Sequence, residues 1–537
     1  VLTKYIRESR LHSDSVHLLA ELNAILGSLY GDGYLEAAYT IHKNDTVLVS
    51  EWVVGTAYQW AFLKPGNLPE YLLNKIGFKD KFYSDRPFKL KDFSRLFDKV
   101  LTESEDSGFP FAYVILDSLK ITSGTISGVI NYEPGPEITF DRLSVQGTDR
   151  ISTDWLAAYL NIREGSTYSQ KVIDEVINKM ERLPFLELTS TPSITFKNLQ
   201  AEVELSVNYK KSNNLDGIIG FLPNEQQEGE LLITGQLYLG LKNLFNSGKS
   251  LLLEWQSLKA RSQLLNIEYT HPNLLRSPFD IGVKFNLLKE DTLFVNRELD
   301  IATLYKKPQG DVSLFYRSRS SSVLSQLPVS NDVTDFSINY YGLGYSSSST
   351  NYGSGNNNGF QFKLEAAVGS KEEQVLLMDS VEEMQTEERS IQYQFTGAIA
   401  KKIKISRSFN WFVGLQGGVL LNENDLYIND LFRIGGLRTI RGFNENFFFA
   451  DKYSILKTEL RLYYQPESFL FLFYDQGYLT TVTLNAEEED YPLGLGAGMS
   501  LKVKGGLINI AYGIGHSNEQ EFDFRLSKSH FGYVARF

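Results

Sequence analysis

Leu456-Lys457-Thr458-Glu459-Leu460-Arg461-Leu462-Tyr463 alternates residue by residue. In an extended chain Leu456, Thr458, Leu460 and Leu462 point one way, and Lys457, Glu459, Arg461 and Tyr463 point the other. The same period of two returns where Leu265, Ile267 and Tyr269 alternate with Asn266, Glu268 and Thr270. It returns again where Ile391, Tyr393 and Phe395 alternate with Gln392, Gln394 and Thr396. A soluble sandwich also alternates, but its strands break at shorter intervals. Over residues 211–537 a strand and its turn take roughly 20 residues, which predicts an all-β transmembrane barrel of about 16 antiparallel strands. The connections are unequal in the way such a barrel requires. Asn246-Ser247-Gly248-Lys249 and Ser406-Arg407-Ser408 read as short turns, whereas Gly369 to Glu388 and Asn422 to Phe449 read as long loops.

Composition agrees with this division. At 537 residues the chain exceeds what one hydrophobic core serves. Mean hydropathy is −0.21, and no uncharged apolar run is long enough for a membrane helix. A barrel keeps that average low, because only every second residue faces lipid. Aromatics make up 13% of the chain, a content suited to strands and to membrane–water interfaces. A net charge of −12 argues against a nucleic-acid partner bound through its phosphates. With no cysteine there is no disulfide, thiolate metal site or cysteine nucleophile. The chain opens at Val1 without a basic-then-apolar leader, so any secretory leader is expected to have been removed already.

Before about residue 210 the pattern is mixed. Helical spacing runs over Asp14 to Leu29, Phe93 to Leu101 and Val172 to Met180, each followed by a strand-like run at Tyr34–Ile41, Phe111–Leu116 and Ser193–Phe196. Gly33-Tyr34-Leu35-Glu36-Ala37 lines up with Gly108-Phe109-Pro110-Phe111-Ala112. In both, a glycine ends a helix at positive φ, an aromatic folds back, and an alanine lets helix and sheet approach. A third unit runs from Phe140 to Gly147 and into a helix near Thr153–Leu160. The predicted division is therefore 1–55, 56–135, 136–210 and 211–537. The first unit is abbreviated, since nothing before Asp14 supplies an opening strand and helix.

A barrel in lipid closes by pairing its last strand with its first. The last, with Phe531, Tyr533 and Phe537 on one side, ends the chain. The first, Gly217-Ile218-Ile219-Gly220-Phe221, is short and rich in glycine. Gly217, Ile219, Phe221, Phe531, Tyr533 and Phe537 are thus expected to form a weak seam.

Within the long loop stands Ile440-Arg441-Gly442-Phe443, followed by Phe473-Tyr474-Asp475-Gln476-Gly477. Together these motifs resemble the superfamily of outer-membrane assembly factors that includes the BamA and TamA group and the two-partner-secretion transporters. The resemblance extends over nearly the whole chain: α+β periplasmic repeats of the POTRA type, the barrel, and a terminal phenylalanine. It implies that Ile440, Arg441, Gly442 and Phe443 tip a loop folded back into the lumen, against Phe473, Asp475 and Gly477 on the wall. The physics of the pair stands apart from the resemblance. A guanidinium carried between low-dielectric walls needs a carboxylate, and Asp475, with inward-facing Glu459 as a second, supplies it. Gly435, Gly436 and Gly442 would let the loop turn sharply and lie close to the wall.

The function so implied is insertion of β-barrel proteins into the outer membrane, with residues 1–210 periplasmic. The repeats would receive unfolded outer-membrane clients and accessory subunits, periplasmic or lipoprotein, and the barrel would sit in the bilayer. The alternative is a secretion pore of the two-partner type, a class that carries a plug helix and two POTRA domains. No catalytic or metal site and no cofactor is expected. His12 and His17 are five apart, off the spacing that puts two ligands on one helical face. There is no Gly-x-Ser-x-Gly, and Gly248-Lys249-Ser250 has Asn243 where a phosphate loop needs glycine. The acidic run near Glu382–Glu388 reads as a solvated loop, and Ser346 to Gly359 as a flexible connection.

Overall fold

The computed structural model describes residues 1–5, 15–44, 47–223, 231–259, 262–307, 309–324, 333–349, 358–379, 382–465, 468–484, 487–503 and 506–535. The chain forms two compact units. One comprises Val1–Ser144, Asn161–Val176 and Pro192–Leu205; the other comprises Val145–Leu160, Ile177–Thr191 and Ser206–Phe537.

Helix α1 (Ser15–Gly31) precedes a hairpin of strands Ala38–Asn44 and Val47–Val53. The next repeat runs strand Gln59–Lys64, α2 (Glu70–Ile76), α3 (Leu90–Glu105), strands Tyr113–Thr122 and Thr125–Glu133. Its first and last strands are parallel neighbours, and Trp60, Leu72, Leu96, Val100 and Ile130 are buried in one cluster. α2 stops at Gly77, whose positive φ lets its N–H return to the last turn. Gly33 and Gly108 likewise take positive φ, as their places after helices require. The third repeat keeps the order with α4 (Thr153–Leu160), α5 (Gln170–Glu181) and the antiparallel pair Ser193–Lys197 and Gln200–Tyr209.

From Asn214 the structure is a continuous antiparallel sheet. Its strands are β1 (Asn214–Pro223), β2 (Leu231–Leu244), β3 (Lys249–Lys259), β4 (Ser262–His271), β5 (Phe279–Glu290), β6 (Phe294–Tyr305), β7 (Asp311–Val323) and β8 (Phe336–Ser348). There follow β9 (Gly359–Asp379), β10 (Glu382–Lys404), β11 (Phe409–Asn422), β12 (Lys452–Gln465), β13 (Ser468–Val482), β14, β15 (Gly506–His516) and β16 (Lys528–Ala535). β14 comes in two pieces, Glu487–Asp490 and Leu493–Val503, both paired with β13, so the hydrogen-bonded order counts seventeen segments.

Burial in this sheet is the reverse of a soluble fold. Leu460 and Leu472 are exposed at 54% and 62%, while Glu459 and Asp475 on the opposite face are buried at 8% and 0%. Arg317 meets Asp300 and Gln394 on that inner face. An apolar outside around a polar, ion-paired inside is stable only where lipid replaces water on the outer surface.

β1 and β16, at opposite ends of the order, lie in contact, so the sheet rolls round on itself. The expected closing ladder is a correction: among the described residues β1 pairs only with β2, and β16 only with β15. β16 has 8 residues and β1 has 10. β1 also carries Gly217 and Gly220, costly to order, and Pro223, which has no N–H to donate. A ladder there would return few bonds for the order it demands. Along this seam the backbones at Ile219 and Phe221 face Gly235 and Ile233, and those at Phe531 and Tyr533 face Ile510 and Ile508. Gly217 pairs with Leu237; Phe537 lies outside the described residues.

A second correction concerns Gly369–Glu388. This stretch is not a loop: β9 and β10 stay in register from Gly359↔Lys402 to Asp379↔Glu382. Charged side chains leave the backbone pairing intact: exposed Arg389 and Glu372 form an ion pair at 2.8 Å, while Lys371 and Glu373 are buried on the other face. The Ser346–Gly359 connection is shorter than expected, because β8 continues to Ser348, and residues 350–357 lie outside the described part.

Candidate functional site: a loop held inside the barrel

Residues 423–451 join β11 to β12 with little regular structure beyond a small ladder, Phe432–Ile434 against Phe448–Ala450. The loop touches walls far apart in the strand order. Arg438 meets Glu254 of β3 (3.2 Å) and Arg433 meets Glu290 of β5 (2.8 Å). Arg441 meets Glu459 of β12 and Asp475 of β13, both at 2.6 Å. One segment reaches all of these only from inside the rolled sheet.

At its tip the geometry is a fork. Arg441 Nε and Nη2 donate to the two Asp475 oxygens at 2.7 and 2.6 Å, and the Arg441 backbone N–H adds a third bond to Asp475 at 3.1 Å. Nη1 donates to Glu459 Oε1 at 2.6 Å. The other Glu459 oxygen accepts from Arg461 Nε at 2.7 Å. The guanidinium carbon lies 3.9 Å from the Phe473 ring centre, so the cation has a π face beneath it and carboxylates at its edge. Every donor direction of the fork used here ends on an acid, which is what makes a buried charge tolerable.

Ile440 and Phe443 flank this pair with no exposed surface, packed with Ile434, Phe448, Ile455 and Leu479. Gly442 takes φ +92°, and a Cβ there would stand 2.7 Å from the Ile514 carbonyl of β15. The structure therefore brings together Ile440, Arg441, Gly442, Phe443, Glu459, Phe473, Asp475 and Gly477. The last is the wall glycine above which Ile440 Cδ1 sits, 2.6 Å from where a Cβ would be. The tip also reaches the seam strand β16, where the Gly442 N–H donates to His530 Nε2 at 3.4 Å, one residue before Phe531.

Two features of the site were not expected. The first is a glycine track on the wall. Gly494 and Gly496 of β14 and Gly513 and Gly515 of β15 give the tip its seat, and a Cβ on Gly515 would lie 2.6 Å from the Phe443 ring. The alternation Gly494-Leu495-Gly496 and Gly513-Ile514-Gly515 is a sequence signal for close approach on one face of a strand. The second is another anchorage near the start of the loop. Fully buried Lys371 of β9 sits 2.8 Å from Asp430 and 2.5 Å from Glu373. Arg319 of β7 donates to the Asn429 and Asp430 carbonyls at 2.6 and 3.0 Å. The Asn429 amide reaches Ser321 Oγ and the Thr334 carbonyl, each at 2.7 Å.

Residues 318–503, from β7 through the loop into β14, match the family model of haemolysin secretion/activation proteins ShlB/FhaC/HecB. CdiB from Acinetobacter baumannii shares the fold at 14% identity, over 98% of this chain and 100% of that one, with a TM-score of 0.58. CdiB from Escherichia coli does so at 11% identity, over 99% and 100%, with a TM-score of 0.58. BamA from Haemophilus ducreyi lacking POTRA domains 1–3 aligns at 14% identity over 90% of this chain and 100% of that one, with a TM-score of 0.42. The family match and the shared fold support an Omp85-type outer-membrane protein. No curated protein sequence matches it significantly. In this barrel the lumen is occupied by the loop just described.

Proposed function

We propose that this Omp85-type barrel passes a client polypeptide across the outer membrane, as a two-partner-secretion transporter does. The observation that carries this reading is the match of residues 318–503, wall and loop together, to haemolysin secretion/activation proteins. Two further points support it. Among the described residues the full strand–helix–helix–strand–strand order is present in two repeats, over Gln59–Glu133 and Thr139–Tyr209, the number such transporters carry. Both CdiB chains are matched along their whole length.

The repeats supply a docking edge. Tyr113–Thr122 is the outer strand of its sheet, and Tyr113, Ile115, Leu119 and Ile121 are exposed along it. An unfolded client could add a strand there through backbone hydrogen bonds, with its side chains against these residues. For the client to cross, the loop must leave one of its anchorages. The ion pairs at Arg441 and Lys371 then set how often the lumen is clear. The long wall ladders, β9 with β10 above all, would hold their shape while the loop moves. No nucleotide-binding motif is found, so client folding beyond the membrane would draw the chain through.

The unladdered contact of β1 and β16 favours a second reading, insertion of barrel proteins, because a free strand edge could template client strands within lipid. Deletion of the gene, followed by quantification of surface-exposed and secreted polypeptides and of folded outer-membrane barrels, separates the two. Loss of a secreted polypeptide with barrels unchanged supports export. Loss of folded barrels with export intact overturns it in favour of insertion.

A further inference from the structure

β14 is broken at Tyr491-Pro492, and the break is compelled by chemistry. Proline has no N–H, so the β13–β14 ladder cannot run through it. Gly477 N–H donates to the Pro492 carbonyl at 2.7 Å. The Gln476 side-chain amide covers what remains, donating toward the carbonyls of Gly477 (3.0 Å), Tyr491 and Pro492 (both 3.3 Å). Where the two pieces part, the wall opens into a groove of about 540 Å³, lined by Leu456, Gln476, Tyr478, Tyr491, Leu493 and Phe522 among others.

The groove is on the outside. Leu456, Gln476, Leu493 and His516 stand opposite one another across three ladders. They have the strand parity of Leu460, Leu472 and Leu495, which are exposed on the lipid-facing surface. The groove is therefore continuous with the surface that contacts the bilayer, near the wall end from which the 423–451 loop leaves. Tyr478 and Tyr491 pack ring against ring at 5.3 Å, with hydroxyls reaching Glu489 at 3.5 and 3.2 Å. Aromatic rings with hydroxyls turned to a polar rim belong at a membrane–water interface. The rim continues along Glu487-Glu488-Glu489-Asp490. By strand parity Glu487 and Glu489 share the outer face of Tyr491, and these two acids disfavour a bare anionic headgroup and favour one that carries an ammonium.

We propose that this groove holds one acyl chain of a bilayer lipid with an ammonium-bearing headgroup, the chain against Leu456 and Leu493 and the ammonium toward Glu489. The groove floor is Gly477, whose inner side receives Ile440 of the loop. A lipid seated there lies one backbone thickness from the loop tip.

The test uses the full chain in nanodiscs of equal phosphatidylethanolamine and phosphatidylglycerol, extracted into detergent and weighed by native mass spectrometry. The wild-type chain should retain phosphatidylethanolamine in preference to phosphatidylglycerol. Leu493→Trp, which fills the groove, should lower that retention about tenfold while keeping the heat-modifiable gel mobility of a folded barrel. Glu489→Gln should keep a bound lipid but lose the headgroup preference. Equal retention of both lipids by the wild-type chain, or unchanged retention in a folded Leu493→Trp chain, would mean annular lipid only and overturn the proposal. So would a copurified polypeptide protecting Tyr491 and Phe522 in place of lipid. The wild-type measurement decides the matter even if the tryptophan variant fails to fold.

Discussion

Gly494 and Arg441 are in backbone contact: a Cβ on Gly494 would stand 2.0 Å from the Arg441 carbonyl oxygen. The side chain that anchors the loop is thus placed by a wall residue that has no side chain. Arg441 reaches Asp475 only because β14 leaves room for the backbone of the loop to lie against it.

Gly494→Ala should therefore release the loop without touching any charge. The obstruction is backbone on backbone, so relief requires moving the loop or the strand, at an overpacking cost of about 1–3 kcal/mol. Limited trypsin digestion at Arg433, Arg438 and Arg441 should speed up in this variant. Gly27→Ala is the control, since a Cβ there meets nothing within 4 Å in helix α1. That change should stabilise its helix by up to about 1 kcal/mol and leave digestion of the loop unaltered. Equal loop protection in Gly494→Ala and the parent chain would show that the glycine seat does not matter.

The Arg441 fork predicts a non-additive cycle. Arg441→Ala leaves Asp475 and Glu459 buried with lost donors, and Asp475→Ala leaves a buried guanidinium half-paired. Removal of one partner of such a pair costs about 3–5 kcal/mol. Each single variant should free the loop for trypsin and reduce transport of the client, and the double variant should cost clearly less than the sum. Arg441→Lys keeps the charge but cannot make the two parallel bonds, so it should fall between parent and alanine. Simple additivity of the two alanine variants would mean that they act through separate structures.

How much of this was legible beforehand depends on the range over which each signal acts. Alternation at Leu456–Tyr463 gave away the barrel, because inside and outside differ in chemistry at every residue. Arg441 and Asp475, 34 positions apart, were connected by a superfamily pattern and by the demand of a buried cation for a carboxylate. Lys371 and Asp430 had no such pattern. Lys371-Glu372-Glu373 reads as one charged patch, although a period of two puts Lys371 and Glu373 inside and Glu372 in water. The same acidic character hid the long β9–β10 hairpin, since charge says where a side chain ends and nothing about the backbone bonds beneath it. The missing closing ladder depends on a balance between short, glycine-bearing edges, which no local pattern reveals.

The second anchorage should act on its own. Lys371 holds two carboxylates, Glu373 and Asp430, so Lys371→Met sets two buried acids against each other and should expose the 427–433 segment to protease. Asp430→Asn should be milder, because Lys371 keeps Glu373. The anchorage lies on β7 and β9 and the Arg441 fork on β12 and β13, with no shared partner. Lys371→Met combined with Arg441→Ala should then add within about 0.5 kcal/mol in thermal stability. Strong coupling between them would mean that the loop moves as one rigid piece, released at both places together.

The seam makes a prediction about exchange rather than mutation. β1 and β16 each have a ladder on one side only, whereas β9 and β10 share an uninterrupted register from Gly359↔Lys402 to Asp379↔Glu382. An amide without a strand partner exchanges as soon as water reaches it, while one inside a long ladder must wait for the hairpin to open. Hydrogen exchange of the full chain in nanodiscs should therefore show peptides covering 214–223 and 528–535 exchanging well ahead of those covering 362–374 and 391–402. Lipid slows exchange by excluding water, but it does so for both pairs of strands, so the difference reports pairing. If the β1 and β16 peptides are as protected as the β9–β10 hairpin, the bilayer zips the seam shut. The first and last strands would then form a ladder in the membrane, and the route for a client would be left to the lumen and its loop.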